Sequence, residues 1–332
     1  MAAAYKSLGF SALRSFEYGG EQLASSLGLQ ARIFDLENAT TTTRNVAGMG
    51  LVLNCAGPFS ATAAPMMTVC LGAHVHYLDI TGEIGVFEHS RTLDAAARAA
   101  GIILGPGVGF DVIPTDCVAA VLKARLPDAT HLALGFDSRS HLSPGTAKTL
   151  VEGLAQVGKV RQNGHIISVP FAYKPRRIDF GDGEKLAMTI PWGDVSTAAA
   201  TTGIPNIEVY IPGSPAMIAW ARRANRFKWL LGTGMVQNFM KRRIEKTVKG
   251  PSAAKREALP TFVWGEVTNA LGDKRTARIT TANGYSLAVT GALAVVEHLL
   301  AHDVPGGTYT PATLIGPDLV TRLPGSGPIQ IA

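Results

Sequence analysis

Only three cysteines, Cys55, Cys70 and Cys117, occur in 332 residues. An odd number at wide spacing argues against a disulfide scaffold and a zinc site, and is expected of a reducing compartment. His74-x-His76 would place both imidazoles on one strand face, but no third ligand of suitable spacing is near, so no metal site is expected. The opening Met1-Ala-Ala-Ala-Tyr-Lys-Ser lacks the apolar core of a signal peptide. No uninterrupted apolar run approaches the ~20 residues of a membrane span. A soluble, cytoplasmic protein is therefore expected. Aromatic residues, 7% of the chain, are too scattered to form a stacking platform for nucleic acid. A dinucleotide fingerprint is also missing. Before Asp35 there is no G-x-G-x-x-G and no apolar strand running into a glycine turn.

What is present is a globular composition, 46% apolar and 17% charged, in a chain long enough for two domains. Its organising stretch runs from Gly50 to Asp116. Three short apolar runs there each break into a loop rich in Gly, Asp and Pro. They are Gly50–Phe59, Val75–Glu83 and Gly101–Asp116. Helical patterns over Ala61–Gly72 and Ile84–Ala100 separate them. Such alternation is the mark of parallel βαβ units, whose strand C-terminal ends form a ligand crevice. All three polar clusters fall at such ends.

Around this stretch the reading is plainer. Glu21–Gly28 reads as a helix closed by glycine, and Ala31–Leu36 as a strand. Gly107-Val-Gly109-Phe-Asp-Val112 imitates part of a dinucleotide fingerprint but lacks the third glycine, and it is not read as one. Pro114–Leu126 reads as a helix with Pro in its first turn and Asp116 beside the positive end of its dipole. Pro127-Asp128 closes it, and a domain boundary is expected there. Beyond it lie short β-like runs (His131–Asp137, His165–Phe171, Arg176–Phe180, Leu186–Ile190, Asn206–Ile211) and a hairpin over Phe262–Thr281. Two helices, about 214–231 and 234–248, interrupt them, which gives an α+β pattern. Tyr285–His302 reads as a largely apolar helix that should be buried.

Net charge is +6 and unevenly spread. Between Trp220 and Lys249 nine Lys or Arg face one Glu, a local +8 that leaves the remainder slightly acidic. The bland reading is a solvated helix; the sharper one is contact with an anionic membrane surface or an acidic ligand.

Six ordered motifs carry a resemblance. They are Asn54-Cys-Ala-Gly-Pro-Phe59, His76–Glu83, Pro106–Asp116, Gly145-Thr-Ala-Lys-Thr149, Ile190–Thr197 and Gly203–Tyr210. Together, from about Glu21 to Pro324, the chain resembles the saccharopine dehydrogenase-like oxidoreductases, in particular the bacterial trans-acting enoyl reductase type. The resemblance implies an α/β fold with three parts. Residues 1–127 would form an incomplete Rossmann-like domain for NADP or NAD, and 128–284 an α+β substrate and dimerisation domain. Residues 285–332 would be a helix and tail returning to the first domain. It further implies hydride transfer to a C=C or C=N bond of a small-molecule or acyl-chain substrate, in lipid or polyketide metabolism. A homodimer is expected, with residues 220–249 available to a membrane or an acyl carrier.

The chain departs from that family twice. The family's first strand with its G-x-x-G-Y-T-G-like loop, and the Gly-Arg strand after it, are absent. Two expectations stay open: a truncated enzyme, or a cofactor-less homologue acting as a binding or scaffold protein. Ala199-Ala200 also stands where a Tyr or His pair is expected, removing a proton donor.

Candidate site residues follow. Asn54, Cys55, Ala56, Gly57, Pro58 and Phe59 would face the cofactor, and the resemblance puts Ala56–Pro58 at its nicotinamide half. A Gly-Pro turn lets the backbone approach a ligand closely. Asp79, Thr81, Gly82 and Glu83 form a polar knot in which Asp79 or Glu83 could act as acid or base. Capping of the helix that begins at Ile84 is the structural alternative for Glu83. Gly107, Gly109 and Phe110 could line the crevice floor, with Asp111 as a further catalytic carboxyl. Thr146 and Lys148 sit at a helix start suited to a substrate carbonyl or phosphate, without the full P-loop pattern. Trp192 and Asp194 could close over substrate, against the alternative of a Trp packing anchor. Cys55 and Cys117 are also suited to be small buried hydrophobes.

Overall fold

The structure, a computed structural model, describes residues 12–14, 20–36, 38–139, 158–225 and 259–332. The expected helix at Ser143–Thr149, with Thr146 and Lys148, and most of the basic 220–249 region lie outside the described residues. The fold is mixed α/β with a parallel sheet. It divides into two compact units: residues 1–106 with 299–309, and residues 107–298 with 310–332.

In the first unit, β1 (Ala12–Arg14), the helix Gly20–Leu27 and β2 (Ala31–Ile33) make a short parallel βαβ pair. The sequence reading places no strand before Ala31; three residues are too few to leave a hydrophobic pattern. The second sheet contains β3 (Leu51–Asn54), β4 (His76–Asp79) and β5 (Ile103–Gly105), all parallel as the βαβ rhythm requires. Its fourth strand, β14 (Gly307–Thr308), joins the β5 edge in parallel. The helix Phe59–Ala73 buries Met66, Met67, Val69 and Cys70 in a core with Val52, Tyr77 and Leu104.

The single helix expected over Ile84–Ala100 is two, Ile84–Thr92 and Asp94–Ala100, which break at Leu93. Asp94 opens the second helix and accepts the Thr308 N–H at 2.8 Å, tying down β14. Gly306 allows that approach, since a Cβ there would lie 2.7 Å from the Ala97 carbonyl. His74 and His76 do not share a strand face. His74 caps the helix Phe59–Ala73 in the left-handed conformation, whereas His76 lies in β4 and accepts the Ile103 N–H.

The second unit is built on one mixed sheet. Its strands are β6 (His131–Ser138), β7 (Gly158–Gln162), β8 (His165–Val169), β9 (Arg176–Asp179), β10 (Glu184–Thr189), β11 (Asn206–Pro212), β12 (Thr261–Thr268), β13 (Lys274–Thr281) and β15 (Gln330–Ile331). The path runs β15-β13-β12-β6-β11-β10-β9, with β7 and β8 attached to β11. Register explains the packing on its two faces. Trp264 pairs with Gly135 and Gly135 with Tyr210, so a side-chain-free position sits between two bulky rings. Across the sheet, Gly265 gives room to Val118 and Leu122 of the helix Ile113–Arg125, whose side chains a Cβ would meet at 2.7 Å.

That packing moves the unit boundary. Pro127 was the expected division, yet the helix Ile113–Arg125 lies within the second unit, and the chain divides at Pro106. The tail is also split, because only 299–309 join the first unit. Among the described residues one helix, Gly284–Ala301, is long and apolar enough to cross a membrane. It is not wholly buried as expected. Leu287, Ala292, Val295, Val296 and Leu299 form its buried stripe, and Gly291 meets Ile113 so closely that a Cβ would lie 2.5 Å from it.

Gly135 gives the sharpest packing test. A Cβ there would lie 2.8 Å from the Tyr210 carbonyl oxygen and 3.1 Å from the Phe180 ring. Backbone in a central strand cannot move aside as a side chain can. Gly135→Ala is expected to lower the unfolding free energy by about 1–3 kcal/mol in urea denaturation.

Candidate functional site

In the first unit the loops after β3 and β4 interlock. Burial alternates along β3, so Asn54 faces inward and the following Cys55 is exposed. Cys55 is thus not the buried hydrophobe expected of it, although Cys117 is. The Asn54 amide donates to the Thr62 hydroxyl at 3.2 Å and to the Tyr77 hydroxyl at 3.3 Å, while its carbonyl accepts the Ala56 N–H. Gly57 and Pro58 are exposed, and the peptide between them is cis. Phe59 opens the next helix.

Asp79 and Glu83 are already engaged. Asp79, fully buried, accepts the Tyr77 hydroxyl at 2.7 Å and the Thr81 N–H at 3.0 Å. Burial and the Asp79 charge hold the Tyr77 phenol well above its usual pKa, so it stays a donor. The Thr81 hydroxyl accepts the Glu83 N–H, with Gly82 between them. The structural alternative for Glu83, capping of its own helix at Ile84, is not what the fold shows, since its side chain makes no cap bond there. Its two carboxylate oxygens instead accept the Phe59 and Ser60 N–H groups, each at 2.9 Å. They close the positive end of the helix Phe59–Ala73. One ion thereby clips two strand ends together.

The other candidates lie in the second unit. Gly107 and Gly109 are buried in the turn before the helix Ile113–Arg125. Phe110 stands edge-on to Phe136, with ring centres 5.5 Å apart, and Phe136 packs against Trp192 at 4.9 Å. The Trp192 indole N–H donates to the Asp111 carbonyl at 2.9 Å. Trp192 is therefore a packing anchor that also aligns the Asp111 backbone. Asp194, two residues on, lies in the first turn of the helix Asp194–Thr202.

Three carboxyl groups meet in this unit. Asp111 is partly exposed as a residue, yet its carboxyl has enclosed surroundings that push its pKa up to about 7. Asp116, which the sequence reading left out of the site, is fully buried, and burial raises it to about 6. The Thr201 and Thr310 hydroxyls and the Ala312 N–H donate to it and oppose that rise. Its place beside Pro114 at a helix start was legible; its three partners, distant in sequence, were not. Asp194 is also raised well above the usual carboxyl range, first by burial and with the neighbouring Asp116 and Asp111 charges adding to it, against the Thr115 hydroxyl. No ion pair among the described residues involves these three acids. Clustered carboxyls without a cation favour the protonated form.

These two clusters sit on a mixed α/β architecture that a solved structure shares. The apo form of saccharopine dehydrogenase (L-Glu forming) from Saccharomyces cerevisiae shares the fold, with TM-score 0.60 over 94% of this chain and 92% of that one, at 9% identity. Sequence relatives narrow the class. A saccharopine dehydrogenase-like oxidoreductase of Mus musculus is 32% identical over 153 residues, 43% of this chain and 35% of that protein. A Mycobacterium tuberculosis protein named for trans-acting enoyl reductase activity is 24% identical over 356 aligned positions, 88% of this chain and 82% of its own. The chain thus spans about a third of the mouse relative's length. No protein-family model matches. The chain is a relative of the saccharopine dehydrogenase-like and trans-acting enoyl reductase proteins, which are oxidoreductases by name.

The Glu83 clip has a direct test. Glu83→Ala removes the acceptor of two N–H groups at a helix start and is expected to cost about 1–2 kcal/mol in chemical denaturation. Glu83→Gln keeps an acceptor and should cost less than half of that. Equal stability of all three proteins would show that the carboxylate does not hold the helix.

Proposed function

We propose that the protein is an oxidoreductase that transfers a hydride between a nicotinamide cofactor and a C=C or C=N bond. The observation that carries this reading is the shell at the ends of β3 and β4. There Asn54, Ala56–Phe59, Asp79, Thr81 and Glu83 stand where open parallel sheets receive their ligands. The mycobacterial relative, aligned over most of the chain, favours an enoyl substrate.

The shell fits one half of such a cofactor. The N-terminus at Phe59 is closed by the Glu83 carboxylate, so it does not suit a phosphate. The exposed Cys55, Gly57 and Pro58 and the turn that follows suit an uncharged ring and ribose. When bound, the cofactor supplies the hydride. The chain's own residues orient it: Asn54 fixes the Ala56 backbone, and Glu83 fixes Phe59 and Ser60.

Calorimetric titration with NADPH and with NADH tests the reading. Saturable binding in the micromolar range is expected for one of the two. No binding up to millimolar, by protein shown to be folded, would overturn it and favour a cofactor-less binding protein.

A further inference from the structure

Six large apolar side chains are exposed among the described residues, and three of them belong to one stretch of the second unit's surface. Trp220 is 52% exposed, Met217 38% and Tyr173 37%. Met217 and Trp220 lie three residues apart on the helix Pro215–Ala224, at neighbouring positions on its surface. Ser214 caps that helix by accepting the Met217 N–H at 3.1 Å, and Pro215 occupies its first turn. Its other side is covered, because Ile218 and Ala221 pack on Ala172 in a small core. Asn225 holds the far end, its side-chain amide accepting the Phe171 N–H and donating to the Phe171 carbonyl. Tyr173 leaves that same loop two residues on. Single exposed apolar residues need no explanation, but two aromatic rings and a methionine around a well-held helix have the makeup of an interaction surface.

The charge around this surface has one sign. The helix carries Arg222 and Arg223, both exposed, and no acid. Trp220 and Arg223 are again three apart, so the indole and the guanidinium leave the same side of the helix. Lys174, next to Tyr173, is paired with Glu208 and adds no net charge. No Asp or Glu occurs in the sequence between Glu208 and Glu245. Over that span it continues Arg226-Phe-Lys-Trp-Leu-Leu231 and later Lys241-Arg-Arg243, so cations alternate with aromatic and aliphatic residues.

We propose that Tyr173, Met217, Trp220, Arg222 and Arg223 form a docking surface for a bilayer rich in anionic lipid. Trp220 and Met217 enter the headgroup layer, and the two arginines pair with lipid phosphates. Indole and phenol rings are favoured at that depth, where one end is apolar and the other wet, and cations beside them meet the negative surface. An acidic protein partner would be met by the arginines alone and would leave Trp220 and Met217 without a use. Attachment of this kind is peripheral, and salt weakens it. It does not depend on hydride transfer by the chain.

Flotation of the full chain with lipid vesicles tests the docking surface. Vesicles of phosphatidylcholine with roughly one part in three of phosphatidylglycerol should carry the protein saturably, and phosphatidylcholine alone should not. Salt at about 0.5 M should release most of it. Trp220→Ala, and separately Arg222→Gln with Arg223→Gln, should each weaken binding roughly tenfold. These side chains are exposed, so both variants should unfold close to the wild-type temperature. Folded wild-type protein that fails to bind anionic vesicles, or binds both kinds equally, would overturn the proposal. Wild-type affinity in either variant would overturn it too. Kept by the tryptophan variant alone, it would point to an acidic ligand; kept by both, to another part of the chain.

Discussion

Burial of carboxyl groups without a cation is the constraint on which the second unit depends. Asp116 shows how the fold lives with it. The carboxyl lies at the start of the helix Ile113–Arg125 and accepts from Thr201 on the helix Asp194–Thr202 and from Ala312 in the tail. Thr201 and Thr310 are themselves 2.7 Å apart. One acid thus joins three segments whose sequence separation reaches 196 residues. Losing that acceptor would leave two hydroxyls and an N–H to find new partners in an apolar setting. Asp194, a few residues away on the same helix as Thr201, is buried beside Asp116 and Asp111, with the Thr115 hydroxyl opposing the rise that burial causes.

The first unit solves a related problem at its surface. Parallel strands end in loops that must be held before they can present anything to a ligand. Tyr77, Asp79, Thr81 and Glu83 do this in sequence, each bond setting up the next. The carboxylates that composition marks as acid or base are there used as clips. What remains open at the strand ends is mainly backbone and small residues, Cys55 to Pro58. Such a surface suits positioning of a flat ligand better than proton transfer to it. The acids raised by burial lie in the other unit, at Asp111, Asp116 and Asp194.

The parallel core was legible because β3, β4 and β5 are short apolar runs with glycine-rich exits, and such runs have few other folds open to them. The hairpin of β12 and β13 was legible for its turn residues. Less visible were interactions made over long separations. Nothing local to Glu83 says that its carboxylate reaches a helix 23 residues back rather than the one it begins. Nothing near Asp116 announces Ala312. The strand β1 was missed because three residues carry no period, and the split at Leu93 because Asp94 answers to Thr308, far along the chain. The candidate residues were picked out mostly by motif, and the bonds they make in the fold are what the motifs cannot show.

The acid cluster gives the account its most direct measurement. Burial pushes the Asp111 carboxyl up to about 7 in the folded protein, against about 3.9 in an unfolded chain. The folded state then holds this proton more tightly, so its contribution to stability is full below about pH 4 and is lost as pH rises towards 7. Asp111→Asn removes that loss. Unfolding free energies of wild type and variant, measured from pH 4 to 8, should diverge in the variant's favour up to about pH 7 and run parallel above it. A gap that stays constant, or one that closes as pH rises, would contradict a buried, proton-holding cluster.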